Sequence, residues 1–254
     1  MRTCLIGQTG FVGSNLARQT KLDETYNSAN IESIGGEEFD LLLCAGVRAE
    51  KWIANANPEA DRAGIDRLIR ALGTVKASRA ILISSVDVFI TPLDVDETTP
   101  VITTGLSPYG KNRYHLEQVF ANRFDAVVAR LPGLYGAGIK KNIIHDFLRD
   151  HEIEKIDSRG VFQFYGLHRL WGDLQVALAK HLHVVHLPTE PVSVADVARV
   201  AFGREFTNHI VDRPARYDVR TRHAELFGGL GHYLENATAE LEGIRLFVDH
   251  ERAA

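Results

Sequence analysis

Gly7-Gln8-Thr9-Gly10-Phe11-Val12-Gly13 follows a short strand-like run, Arg2-Thr3-Cys4-Leu5-Ile6, and leads into Val12, Leu16 and Ala17 at helical spacing. The order is strand, tight turn, helix. Glycine suits such a turn because the backbone must bend sharply, approach a pyrophosphate closely and let the helix pack on the sheet. The helix amino end then supplies N–H groups to the phosphates. Placed between a strand and an apolar helix, this spacing reads as a dinucleotide cradle.

Outward from the turn, Leu41-Leu42-Leu43-Cys44-Ala45-Gly46-Val47 is an uninterrupted apolar run, as expected of a strand buried on both faces of a parallel sheet. A helix follows. Asn57 is placed to cap it, Pro58 suits its first position, and Ile65, Leu68, Ile69 and Leu72 mark one face before Gly73. The pattern repeats: Ala80 to Ser85 as a strand, a helix from about Pro108, and Asp125 to Leu131 as a strand. Alternation of this kind implies right-handed crossovers and a doubly wound parallel sheet, an α/β fold with helices on both faces. From Pro132 the rhythm changes to a glycine-rich turn, a helix near 142–150 and the aromatic stretch 162–165. The expected organisation is a dinucleotide-binding domain over 1–134 and a compact, interleaved substrate lobe over 135–254.

With 29 basic against 33 acidic residues in 254, the net charge of −4 does not mark a nucleic-acid binder. Hydrophobic residues at 45% and charged residues at 24% are ordinary for a folded chain and exclude long disorder. Cys4 and Cys44 sit inside apolar runs and read as buried free thiols. No stretch approaches the ~20 apolar residues a membrane span requires, and no secretory signal precedes Gly7, so a cytoplasmic location is expected. His181, His183 and His186 lie close together, but strand alternation would put only the first two on one face, without adjoining Cys or carboxylates. No metal is expected.

An acid about 20 residues beyond such a glycine turn commonly binds the ribose 2′-hydroxyl of NAD. Here the position falls on Asn27, with Ser28 and Asn30 nearby. These side chains bond a hydroxyl or a phosphate equally, with no Asp to repel NADP and no Arg in the segment to favour it. The cofactor-binding set therefore comprises Gly7, Gly10, Phe11, Val12, Gly13, Asn27 and Ser28, with Ala45 and Gly46 after the second apolar strand, and leaves NAD versus NADP open.

The glycine turn and four further segments carry a resemblance to a known family. GQTGFVG at 7–13, SSVDVF at 84–89, SPYGKNRYHLE at 107–117, RLPGLYGAG at 130–138 and PVSVADVA at 191–198 together resemble the extended short-chain dehydrogenase/reductases, which include nucleotide-sugar epimerases, dehydratases and reductases. The resemblance implies a Rossmann-type fold, NAD or NADP as cofactor, Ser85 as the catalytic serine and Tyr109 as the catalytic tyrosine. A phenol with a pKa near ~10 works as acid or base around neutrality only where positive charge stabilises its phenolate. In the family a lysine four residues after the tyrosine supplies that charge. This chain has Arg113 there. Arginine keeps the charge on the same helix face, but its planar guanidinium effectively never deprotonates and cannot pass on a proton. Asp87, two residues after Ser85, matches the acid that assists elimination in sugar-nucleotide dehydratases and reads equally as a plain acid at a strand end.

Tyr135-Gly136 leading to Asn142 resembles the family turn whose asparagine touches the nucleotide-sugar diphosphate. Lys140 and Lys141 add positive charge, and Arg169 suits a phosphate through paired hydrogen bonds. Trp52, in the loop after the 41–47 strand, is a candidate wall of a sugar pocket. The expected function is hydride transfer at a carbon of a nucleotide sugar, as an epimerase, dehydratase or reductase. A non-catalytic NAD(P)-binding sensor and a small-carbonyl reductase are the alternatives. The resemblance also implies a possible homodimer through the helices near 57–72 and 108–122.

Overall fold

All four residues of β1 (Thr3–Ile6) are buried in the computed structural model, which describes residues 1–253. The glycine turn follows, then α1 (Phe11–Ala17). The polar stretch after it contains an unexpected short strand, β2 (Glu24–Tyr26), with only Tyr26 buried. An edge strand needs little apolar surface, which hides it from a reading based on periodicity. β3 (Glu38–Cys44) ends three residues earlier than the apolar run suggests. The last ladder bond, Ala45 N–H to the Ile6 carbonyl at 2.9 Å, leaves Ala45 and Gly46 in the loop beyond.

That loop is shorter than expected, because α2 (Lys51–Ala56) occupies most of it and carries Trp52. Asn57 closes α2 and opens α3 (Pro58–Ala71), and its side chain makes no cap. Its backbone N–H is already bound to the Ile53 carbonyl at 2.8 Å, so the residue serves as the joint between two helices. Pro58 stands at the start of α3, with acidic Glu59 and Asp61 in the first turn, where the helix dipole favours them. β4 (Lys76–Ser85) runs into a short 3-10 turn, Val86–Val88.

The remaining elements follow in order: β5 (Leu93–Val95), α4 (Pro108–Arg123), β6 (Ala126–Leu131), β7 (Gly133–Tyr135), α5 (Ile143–Arg149), β8 (Val161–Phe162) and β9 (Phe164–Gly166). After these come α6 (Leu170–Ala179), β10 (Val184–His186), β11 (Val192–Ser193), α7 (Val194–Phe202), β12 (Asp218–Val219) and α8 (Ala237–Ala253). β10 starts only at Val184, so strand alternation does not apply to His181, which sits in a turn at φ +52°. Among the described residues no helix is long and apolar enough to cross a membrane.

Two compact units emerge, and the chain passes between them more than once. The first comprises residues 1–90, 99–130 and 168–185; the second comprises 91–98, 131–167 and 186–254. The first holds the six-stranded sheet, ordered β10-β6-β4-β3-β1-β2. β1 pairs in parallel with β2 and β3, and β3 in parallel with β4. Strand order reverses direction outward from β1, the arrangement of a doubly wound α/β fold. Its core joins Ile6, Leu42, Cys44 and Leu82 of the sheet to Ile65 and Leu68 of α3 and to Leu116 and Phe120 of α4. Cys4 and Cys44 are buried free thiols.

The second unit is built from two-stranded pairs, β5 with β12, β7 with β9 and β8 with β11, and from α5, α7 and α8. Ile144, Phe164, Val197, Ile244 and Val248 form its centre. Buried Gln163 stitches it together, donating to the Thr189 carbonyl at 2.6 Å and exchanging bonds of 2.8 Å with both backbone groups of Val219. Asn142 opens α5 at φ +91°: its Oδ1 accepts from Ile144 N–H at 3.0 Å and its Nδ2 donates to the Leu134 carbonyl at 2.8 Å. Asn142→Ala is therefore expected to lower stability by about 1–2 kcal/mol, through cap loss and a backbone angle alanine resists. Asn142→Gly should cost less, since glycine accepts that angle. Equal urea midpoints for wild type and the alanine variant would refute this role.

Candidate active site

The glycine turn owes its shape to backbone crowding. Gly7 has φ +93°, and a Cβ there would lie 2.4 Å from the Ala45 carbonyl oxygen. A Cβ on Gly13 would lie 2.0 Å from the Gly7 carbonyl oxygen. Any side chain at either position must displace backbone, so these two glycines hold β1, the turn and α1 together. The same closeness brings Ala45 and Gly46 beside Gly7. Gly10 differs: a Cβ there meets only the Gly7 oxygen, at 3.3 Å. It opens α1 without a side-chain cap, and no acid stands in the first turn occupied by Phe11, Val12 and Gly13.

This turn fits a dinucleotide pyrophosphate on two counts. Its closely packed glycines admit a ligand against bare backbone, and Gln8 Oε1 is buried within it without a hydrogen-bond partner. At the end of β2, Asn27 Oδ1 accepts from Ala29 N–H at 2.8 Å, and Asn27 N–H donates to Asn30 Oδ1 at 2.7 Å. The two asparagines build this turn. Ser28 is exposed, and its carbonyl accepts from Arg67 Nη2 at 2.9 Å. Arg67, from α3, also pairs through its Nε with Glu32.

On the next strand, Ser85 ends β4, and its Oγ accepts the Asp87 N–H at 3.1 Å. The same hydroxyl hydrogen-bonds the Tyr109 phenol and favours its ionised form. Asp87 lies in the 3-10 turn, and its carboxylate accepts from Lys51 Nζ at 2.7 Å.

Tyr109 sits in the first turn of α4, 5% exposed. Ser107 Oγ accepts from Gly110 N–H at 3.3 Å, and Asn55 Oδ1 of α2 accepts the Tyr109 N–H at 3.0 Å, so two side chains fix this helix start. Arg113 lies one turn on, its guanidinium carbon 3.9 Å from the centre of the Tyr109 ring. Its Nη1 donates to Asp61 of α3 and its Nη2 to the Arg48 carbonyl. Asp61 also accepts from Asn112 Nδ2 at 2.8 Å. The stacked cation is therefore held by a carboxylate at 5% and 10% side-chain exposure. Burial pushes the Tyr109 phenol above its usual range; Arg113, hydrogen bonding with Ser85 and Lys51 pull it down, and Asp87 pushes it further up.

The structure thus gathers Ser85, Asp87, Tyr109 and Arg113 into one cluster, and adds Asn55, Asp61 and Lys51, which sequence reasoning missed as members. Their only signal was position, in the segment after β3 at the carboxyl side of the sheet. The proposed substrate residues fare differently. Trp52 is 73% exposed on α2. Arg169 is paired with Asp173 at 2.8 Å across one helical turn. Lys140 and Lys141 are exposed, and the polar atoms of Asn142 hold α5.

No known protein-family model matches this sequence, and no curated protein matches it. Solved structures do. An NAD-dependent NDP-hexosamine 5,6-dehydratase involved in tunicamycin biosynthesis superposes with a TM-score of 0.77 at 17% identity, over 100% of this chain and 98% of its own. A dTDP-glucose 4,6-dehydratase from Streptomyces venezuelae, a double mutant with NAD bound, gives 0.74 at 15% identity over 100% and 98%. A dTDP-4-dehydrorhamnose reductase from Clostridium acetobutylicum gives 0.74 at 14% over 99% and 100%. The chain has the fold of these structures, a doubly wound Rossmann-type sheet with an added smaller lobe.

Proposed function

We propose that the protein is an NAD(P)-dependent enzyme that acts on a sugar carbon of a nucleotide sugar, as an epimerase, dehydratase or reductase. One observation carries the reading: Tyr109, Ser85 and the stacked Arg113 converge at the carboxyl end of a doubly wound sheet that also presents a glycine turn fitted to a pyrophosphate. What the similar structures are named for, dehydration and reduction of nucleotide-linked sugars with NAD, supports the substrate class.

The bound nicotinamide supplies the hydride acceptor or donor. This chain's residues handle the proton and the orientation. The Tyr109 phenolate takes the proton of a sugar hydroxyl as its carbon loses hydride, and returns it in the reverse direction. Ser85, its oxygen fed by the Asp87 amide, donates to the same sugar oxygen and holds it in line. Arg113 favours the phenolate from the ring face. Asp87 is a second proton site, which tilts the reading towards elimination or epimerisation over simple reduction. Gly7, Gly10 and Gly13 with Phe11 and Val12 would hold the pyrophosphate, and Asn27, Ser28, Ala45 and Gly46 would line the adenosine side. Lys141, Asn142, Arg169 and Trp52 are the proposed substrate contacts, Asn142 through its backbone because its side chain is committed.

Thermal unfolding with NAD or NADP, then with UDP-, GDP-, CDP- and dTDP-sugars, tests this. A ligand at about 100 times its dissociation constant stabilises the folded state by roughly 2.7 kcal/mol. Gly10→Val, whose Cβ would press on the Gly7 carbonyl oxygen from 3.3 Å and whose branch would crowd the pyrophosphate, should lose the cofactor shift in protein that circular dichroism shows to be folded. A shift with one nucleotide family supports the reading. A cofactor shift with no sugar-nucleotide response favours the sensor or small-carbonyl alternatives, and a wild-type cofactor shift in folded Gly10→Val defeats the cradle.

A further inference from the structure

Arg113 commits its terminal nitrogens to Asp61 and the Arg48 carbonyl, so its charge meets the Tyr109 ring on one side and a carboxylate on another. The carboxylate beside Ser85 has a different cation. Lys51 opens α2, and its Nζ lies 2.7 Å from Asp87 Oδ1, with side-chain exposures of 44% and 20%. Asp87 itself cannot easily move away. Its N–H is bound to Ser85 Oγ, and its carbonyl oxygen lies 2.4 Å from where a Cβ on Gly110 would stand, so α4 packs directly against its backbone.

A negative charge held this close opposes formation of a second one on the phenol. Asp87 acts on Tyr109 in that direction, and Lys51 acts against it. The other charges around the phenol, Arg113 from α4 and Asp61 from α3, pair with each other. Lys51 also shares a helix face with Asn55, four residues on, which accepts the Tyr109 N–H. One face of α2 thus touches both the backbone of the tyrosine and the acid beside it.

We propose that Lys51 is a positioning residue of this site: through its ion pair it holds the Asp87 carboxylate beside the Tyr109–Ser85 pair and offsets that carboxylate's charge there. The proposal rests on the assignment of Tyr109 as the acid/base group. Arg113 acts on the ring face of Tyr109 from α4, and Lys51 acts on the neighbouring carboxylate from α2.

The test is an alkaline titration of the ligand-free protein, with the Tyr109 phenolate read as the absorbance difference from Tyr109→Phe. Lys51→Met is expected to reduce the phenolate fraction on the foot of the rising limb, below the ~10.4 at which an ordinary lysine loses its charge, since it leaves Asp87 uncompensated. Asp87→Asn should raise that fraction, Lys51→Met/Asp87→Asn should return close to wild type, and Lys51→Arg should match it. Circular dichroism checks that each variant is folded. Equal phenolate in wild type and Lys51→Met, including none in either, overturns the proposal, as does a double variant shifted as far as Lys51→Met. The measurement needs no substrate. Loss of the enzymatic reading would show instead as unchanged turnover in Tyr109→Phe, a separate result.

Discussion

Tyr109→Phe is expected to lower turnover on a responding nucleotide sugar by about 10²–10⁴-fold, the range general acid–base catalysis supplies. The change removes one oxygen and its hydrogen bond with Ser85. The ring that carries the Arg113 guanidinium is retained, and the N–H that bonds Asn55 belongs to the backbone, so α4 keeps its start. Ser85 still accepts the Asp87 amide, although it loses its own hydrogen bond to the phenol. Cofactor titration should consequently match wild type within a few-fold, because the glycine turn of β1 and α1 is untouched. Loss of turnover with unchanged NAD(P) affinity assigns the phenol to the proton step. Retained turnover would remove Tyr109 from the mechanism, and joint loss of both would point to misfolding.

Glu117→Ala is expected to cost about 3–5 kcal/mol of stability, as one partner of a buried ion pair is removed and the other left uncompensated. Glu117 on α4 is 2% exposed and Arg130 on β6 is 4% exposed. Arg130 Nη2 donates to Glu117 Oε2 at 2.7 Å and its Nε to both carboxylate oxygens at 3.1 and 3.2 Å, while Ser84 of β4 donates to Oε1 at 2.5 Å. One carboxylate thus ties α4 to two strands, about two helical turns from Tyr109. With alanine at 117, the guanidinium would be left buried against the Phe89 ring, 5.2 Å from its carbon, with no counter-charge from this pair. Glu117→Leu/Arg130→Met should recover most of the loss, since apolar side chains of similar volume replace a buried pair at little cost. Urea unfolding of the three proteins reads both effects. A single-variant cost below about 1 kcal/mol, or a double variant no better than the single, would show that the pair is not what docks the helix.

The contrast between α3 and α4 shows how far residue patterns carry. Pro58, the acids of the first turn and the Ile65–Leu68 face announce α3, because an amphipathic surface helix writes its burial into its periodicity. α4 buries Tyr109, Asn112, Arg113 and Glu117 alongside Leu116 and Phe120, and polar residues on the inward face erase that signal. Its start was legible only through Ser107-Pro108 and the resemblance around Tyr109. β2 escaped because a sheet edge demands one buried side chain, and α2 because a helix of six residues has too few turns to show a period.

By itself the sequence determined the alternating strands and helices of a doubly wound sheet, the glycine turn, and the residue types at 85, 87, 109 and 113. These follow from local rules, apolar spacing and the steric needs of glycine, that act between near neighbours in the chain. Only the tertiary structure decided which charges meet. Asp61 found Arg113, Lys51 found Asp87, Glu117 found Arg130, and Arg67 found Glu32. Ion pairs join residues that chain spacing leaves unrelated, because helices packed on a sheet bring distant segments within a few ångströms, where low exposure strengthens each charge.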